Sequence, residues 1–146
     1  MKCLYLELDQ IMAIHDTLIE EIGGSLGLRN PGLLKSGAHQ PQQSFGGEDL
    51  YPDLFSKAAA YAFSISENQP FIDGNKRTAA TVAAVFLDIN EFLLDCPEGQ
   101  VYETMMKLAN KHLTRESLAE WFRKNCKKKS PKQKSSRKKS PSKKSQ

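Results

Sequence analysis

Cysteine is scarce and unpatterned in this chain: Cys3, Cys96 and Cys126 are an odd number, and no two lie at metal-ligand spacing. That argues against a disulfide framework and a zinc site, and makes a reducing cytoplasm the expected compartment. Long hydrophobic runs are lacking too. No apolar stretch approaches the roughly 20 residues that cross a bilayer, and the N-terminus carries no basic-then-apolar leader, so no membrane partner is expected. Acidic side chains are absent from residues 127–146, which hold ten Lys/Arg and leave 11 basic against 17 acidic residues in the rest of the chain. The basic balance therefore belongs to the tail, and the body is acidic.

What remains is a chain of 146 residues, enough for one domain with a real core and too short for two. Ile11, Leu18 and Ile22, with His15 between them, fall at helical spacing, and Gly23-Gly24 stops that helix near residue 22. Residues 25–52 are polar and punctuated by Gly and Pro; they read mostly as loop, with a small hairpin between Gln43 and Tyr51. Asp53 is an N-cap for a second helix ending near Asn68, and a third runs from Asn75 or Lys76 to about Asn90. The third is small and apolar on most faces, as the central helix of a bundle would be. Pro97 suits the first turn of a fourth helix, and Thr114 caps a fifth, with Leu113 and Leu118 spaced as a hydrophobic staple. No segment alternates over several residues, so the fold class is all-α, a compact helical bundle over residues 1–125. From Cys126 onward apolar residues vanish, and residues 126–146 are expected to be disordered.

Between the second and third helices lies Gln69-Pro-Phe-Ile-Asp-Gly-Asn-Lys-Arg77. Lys76 and Arg77 sit where the helix dipole is positive, and each cation there costs roughly 0.3–1 kcal/mol. An anion would relieve that cost, because backbone N–H groups at a helix start already favour phosphate and the two cations complete a cradle. Gly74 allows a positive φ and close backbone approach. Phe71 would point inward and pin the loop, and Asp73 would offer magnesium a hard carboxylate. In a purely structural reading Asp73 and Gly74 make a turn, Asn75 caps a helix, and Lys76 and Arg77 are solvated. That reading leaves two cations set against the dipole beside an acid with no use.

The segment resembles the Fic/Doc signature H-x-F-x-D/E-G/A-N-K/G-R, and is closest to the death-on-curing (Doc) branch, in which Lys follows Asn. Residues 23–34 (Gly-Gly-Ser-Leu-Gly-Leu-Arg-Asn-Pro-Gly-Leu-Leu) and 41–52 (Pro-Gln-Gln-Ser-Phe-Gly-Gly-Glu-Asp-Leu-Tyr-Pro) are similar to Doc segments as well, so the resemblance spans roughly residues 4–124. It implies a helical bundle whose central loop and helix bind ATP and Mg²⁺. On this resemblance Gln69, Asp73, Lys76 and Arg77 take the catalytic positions, Asp73 the metal, and Gly74, Asn75, Lys76 and Arg77 the phosphates. A flap near residues 42–50, with Gln42, Ser44, Phe45 and Asp49, would position a protein target. Adenylyl-transferring relatives usually carry Gly after the Asn and a second Arg three positions beyond the first; here those positions are Lys76 and Ala80. Both departures imply transfer of the γ-phosphate to a protein hydroxyl. The resemblance thus implies a toxin-type phosphotransferase acting on an elongation factor Tu-like target and restrained by a cognate antitoxin.

One departure bears on the chemistry. The family motif begins with a His that takes the proton of the attacking hydroxyl, and this chain has Gln69, an amide that can orient a hydroxyl but not accept its proton. His15, on the apolar stripe of the first helix, is expected to be buried and satisfied. His39 precedes the flap, and His112 favours a helix end. Arg29 lies in a loop the family uses near its active site, and Trp121 with Phe122 is expected to seal the core. Other readings stay open: adenylyl transfer, a catalytically silent module that binds nucleotide or antitoxin, and a nucleic-acid-associated protein acting through its tail. Residues 127–146 could contact nucleic acid or an acidic partner by counterion release. They could equally serve as a solubilising tail, and their Lys clusters resemble nuclear localisation signals in a host setting.

Overall fold

The computed structural model describes residues 2–131. In chain order the elements are helix α1 (Leu8–Ile22), helix α2 (Pro31–His39) with a 3-10 turn over Gln40–Gln42, and a hairpin of β1 (Ser44–Phe45) and β2 (Glu48–Asp49). There follow α3 (Leu54–Asn68), α4 (Asn75–Ile89), β3 (Phe92–Leu94), α5 (Gln100–Ala109), α6 (Arg115–Asn125) and β4 (Cys126–Lys128). The architecture is a mostly helical bundle, as the caps and periodicities predict. Among the described residues no helix is long and apolar enough to cross a membrane.

Helix α3 starts at a reciprocal cap: Asp53 Oδ1 accepts from Ser56 N–H (2.8 Å) and Ser56 Oγ accepts from Asp53 N–H (3.2 Å). The run Ala58-Ala59-Ala60-Tyr61-Ala62 is wholly buried, because α2, α4 and α6 all pack on α3 and small side chains let them approach. The central position expected for α4 is therefore shared with α3. Thr114 caps α6 as predicted, accepting from Ser117 N–H at 3.0 Å, and Phe122 seals the core while Trp121 lies at its edge.

Three expectations are corrected. The stretch read as loop contains α2, whose start is marked by Asn30 Oδ1 accepting from Leu33 N–H (3.0 Å) and by Pro31 in the first turn. Gly32 and Gly37 lower its intrinsic helicity, so burial of Leu34 and Ala38 has to hold it. Helix α5 begins at Gln100 rather than Pro97; Pro97 instead gives its carbonyl to Gln100 N–H (3.1 Å), one turn ahead. Third, order does not end at Cys126. Strand β4 pairs antiparallel with β3, Leu94 opposite Cys126 and Phe92 opposite Lys128, and Lys129 is buried, its ammonium paired with the Asp88 carboxylate. A lysine-rich segment is thus drawn into the fold by one carboxylate of α4. The expected disorder of the rest of the tail concerns residues 132–146, outside the described ones.

The three cysteines are half-buried free thiols. Burial, with Cys96 adding to it, pushes the Cys126 thiol up to about 12, and burial raises Cys3 and Cys96 as well, so none is an activated thiolate.

Candidate active site

Helix α3 ends at Asn68, and Gln69 turns the chain in the left-handed conformation, φ 46° and ψ 58°. The guanidinium of Arg29 stabilises that turn: Nε donates to the Gln69 carbonyl and Nη2 to the Asn68 carbonyl, both at 2.7 Å. A cation on the last carbonyls of a helix satisfies orphan acceptors and complements the dipole. The backbone of the same segment continues the clamp. Arg29 and Asn30 N–H both donate to the Pro70 carbonyl (2.7 and 3.0 Å), and Ile72 N–H donates to the Gly27 carbonyl (3.0 Å).

From the core side the loop rests on an aromatic pair. Phe71 is buried, as predicted, and stacks on His15 with ring centroids 3.8 Å apart and planes within 4°. His15 Nε2–H donates to the Asp73 carbonyl (2.8 Å), while Nδ1 lies 3.1 Å from Asp16 Oδ1. This imidazole is sealed beneath the loop, buried and satisfied as its place on α1 suggests. Asn75 closes the loop on itself: its Oδ1 accepts from Phe71 N–H and its Nδ2 donates to the Phe71 carbonyl, each at 2.9 Å. The Asn75 side chain is therefore occupied, which leaves its backbone N–H available at the start of α4.

Gly74 takes φ 78°, as expected, and it rather than Asn75 occupies the cap position of α4. The first helical hydrogen bond is Thr78 N–H to the Gly74 carbonyl (2.9 Å), so the N–H groups of Asn75, Lys76 and Arg77 precede the helical ladder. The side chains of Lys76 and Arg77 are exposed, and no carboxylate among the described residues is paired with either. Asp73 is exposed beside them; Oδ1 accepts from Gly74 N–H (2.9 Å) and Oδ2 from Ser25 N–H (3.1 Å). These hydrogen bonds fix the carboxylate's direction. Gly24 lies so close that a Cβ there would sit 2.7 Å from Asp73 Oδ2.

Gln69, Asp73, Gly74, Asn75, Lys76 and Arg77 all line one groove of about 540 Å³, within the range of small-ligand sites. Tyr102 and Met106 of α5, Asn110 just after that helix, and Glu67 near the close of α3 line it as well. The sequence reading missed these residues. The i, i+4, i+8 spacing of Tyr102, Met106 and Asn110, offset from the buried stripe of Met105 and Leu108, was the available signal. A second groove of about 630 Å³ adjoins the first, sharing Lys76, Arg77 and Tyr102 and continuing along Ala80, Leu94 and Val101.

The flap residues are not brought to this groove. Gln42 at the end of the 3-10 turn and Ser44, Phe45 and Asp49 on the hairpin are exposed, Phe45 at 81%, and none lines the groove wall. Asp49 instead pairs with Lys57 Nζ at 3.4 Å, and Lys57 also donates to the Tyr51 carbonyl, which ties the hairpin base to α3. Arg29 works from behind the loop, and His39 and His112 are likewise not on its wall. Among the described residues no three His, Cys, Asp or Glu side chains group as a metal cage.

A model of the Fic/DOC family matches residues 5–87. A protein named Toxin Doc from Mycolicibacterium smegmatis is 37% identical over 99 residues, covering 66% of this chain and 76% of its own length. The Protein kinase doc of Escherichia phage P1 is 33% identical over 91 residues, covering 62% of this chain and 71% of its own.

Proposed function

The chain belongs to the Fic/DOC family, on its Doc branch, and from that premise we propose that it is a toxin-type protein phosphotransferase that moves the γ-phosphate of ATP to a hydroxyl of an elongation factor Tu-like protein. The observation that carries this reading is the meeting of Asp73, Lys76 and Arg77 on one groove, over three N–H groups that precede the helical ladder of α4. Phosphoryl transfer relies mainly on alignment and on positive charge around the transferring group, and those are the resources this groove has.

The residues present fit magnesium. The ion needs one or two carboxylates and takes its remaining ligands from phosphate and water, and Asp73 offers one carboxylate held in direction by Ser25 and Gly74. When bound, Mg²⁺ would neutralise charge on the β- and γ-phosphates. Lys76 and Arg77 then hold the equatorial oxygens, and the backbone N–H groups of Asn75 to Arg77 complete the cradle. The target hydroxyl oxygen forms the new bond to the γ-phosphorus as the bond to the bridging oxygen breaks and ADP leaves. Gln69 can orient that hydroxyl but not deprotonate it, a shortfall of typically 10²–10⁴-fold.

Lys76 and Ala80, in place of the Gly and second Arg of adenylyl-transferring relatives, support γ- rather than α-phosphate transfer. A cognate antitoxin is the expected restraint, and contacts with nucleic acid or an acidic partner belong to the tail. Gln69 also favours a second reading, a silent module that binds nucleotide without transfer. Purified protein, an elongation factor Tu-like substrate and ATP labelled at the γ- or α-phosphate separate the readings. Label from γ alone is expected; label from α means adenylyl transfer, and ATP binding with no label from either the native protein or Gln69→His leaves the silent module. The Gln69→His variant should transfer at least about tenfold faster than the native protein.

A further inference from the structure

We propose that Glu67 is the proton acceptor for the attacking hydroxyl, in the role that Gln69 does not fill; this rests on the phosphotransferase reading above. Glu67 sits in the last turn of α3, two residues before Gln69, and lines the same groove as Gln69, Asp73, Lys76 and Arg77.

The other ionisable groups near the loop are committed. Both oxygens of Asp73 accept backbone N–H groups, and its carboxylate is the one placed to hold magnesium. His15 is fully buried behind the loop, stacked on Phe71 and bonded to the Asp73 carbonyl. Lys76 and Arg77 are cations, and the phenolic O–H of Tyr102 is a hydrogen-bond donor suited to phosphate oxygens. Glu67 differs. Its side chain is 41% exposed, and only Oε2 is engaged, 3.3 Å from the ammonium of Lys111, itself 76% exposed. A solvent-screened pair of that kind contributes little and leaves Oε1 for a hydroxyl.

A carboxylate suits the step. Protein kinases use an aspartate to accept the substrate hydroxyl proton, since a loose transition state asks little basicity of the acceptor. In the transfer, the hydroxyl oxygen bonds to the γ-phosphorus, the bridging P–O bond breaks, ADP departs with that electron pair, and the hydroxyl proton passes to Glu67 Oε1 and on to solvent. Gln69 orients the same hydroxyl.

The test compares the full-length protein with Glu67→Gln, Gln69→His and the double variant, reading kcat for γ-phosphate transfer from ATP between pH 4 and 9, and ATP affinity by calorimetry. In the native background Glu67→Gln should lower kcat about 10²-fold with ATP affinity within about twofold. In the Gln69→His background it should change kcat by less than about threefold, with the pH profile unaltered by the Glu67 substitution there. Equal losses in both backgrounds, or no loss in the native one, overturn the assignment. Transfer by Gln69→His with none by the native protein overturns it while leaving the phosphotransferase reading intact, and no transfer by either overturns both.

Discussion

Adding one methyl group at Gly24 tests whether the segment before the site holds the Asp73 carboxylate in its working direction. Gly24 has φ +121°, and a Cβ there would stand 2.7 Å from Asp73 Oδ2 and 3.0 Å from Ile19 Cδ1. Ordinary contact begins near 3.4 Å, so the carboxylate oxygen has to retreat by roughly 0.7 Å or the 23–25 turn has to open. A residue with a side chain in that backbone region costs of order 1–3 kcal/mol. Loss of the Ser25 N–H bond to Oδ2, 3.1 Å and exposed to solvent, adds about 1 kcal/mol, the typical net value of a hydrogen bond. Gly24→Ala should therefore lower stability by about 2–4 kcal/mol in urea titration. The functional consequence is separate. The factor by which Mg²⁺ raises ATP affinity should fall by at least about tenfold, or 1.4 kcal/mol, while affinity without Mg²⁺ stays within about twofold. Gly46→Ala is the control: it also has positive φ, +60°, but its Cβ meets nothing within 4 Å, so it should show strain without any change in Mg²⁺ dependence. A Gly24→Ala protein that folds and keeps the native Mg²⁺ enhancement would refute the reasoning, because the metal would then owe nothing to the fixed direction of Asp73.

Asn75→Ala removes both bonds that close the loop on Phe71; it should cost about 2 kcal/mol in denaturant titration at about 1 kcal/mol per bond, and weaken ATP binding by releasing the loop. Lys129→Met leaves the Asp88 carboxylate without its buried ammonium and should destabilise by about 3–5 kcal/mol, seen as a lower urea midpoint; an unchanged midpoint would mean that the C-terminal strand is not part of the cooperative fold. Asp53 gives a pH dependence. Burial opposes its ionisation, but the Ser56 N–H, the Arg123 guanidinium and the Phe55 N–H outweigh it and hold the carboxyl below its ordinary value. A group depressed on folding stabilises above its unfolded pKa and loses that contribution as pH falls through the folded one. Asp53→Ala should thus cost about 1 kcal/mol at pH 7, with the gap to the native protein closing below about pH 4; a gap that widens in acid would contradict the assigned direction.

Much of the fold was legible because its signals are short-range. Asp53 and Thr114 announce helix starts through side chains that reach three residues ahead, and Gly23 and Gly74 mark an end and a start through conformations only glycine adopts at little cost. Helix α2 was less legible, because its glycines argue locally against a helix that burial of Leu34 and Ala38 then sustains. At the site, the cations at the start of α4, the acid before them and the amide in place of a base are all readable in nine consecutive residues.

By itself, then, the sequence determined the chemistry of the 69–77 loop, the family it signals and most helix boundaries, since these follow from side-chain type and neighbours within a few positions. Only the tertiary structure decided that Asn75 turns back on Phe71, that Arg29 holds the carbonyls of Asn68 and Gln69 from 39 and 40 residues away, and that His15 supports Asp73 from 58 away. It alone set the hairpin off the groove wall, brought Glu67 onto it, and bound Lys129 to Asp88. A hydrogen bond depends on where two backbones come together and which lone pairs then face each other, and neither periodicity nor composition along a chain records that meeting.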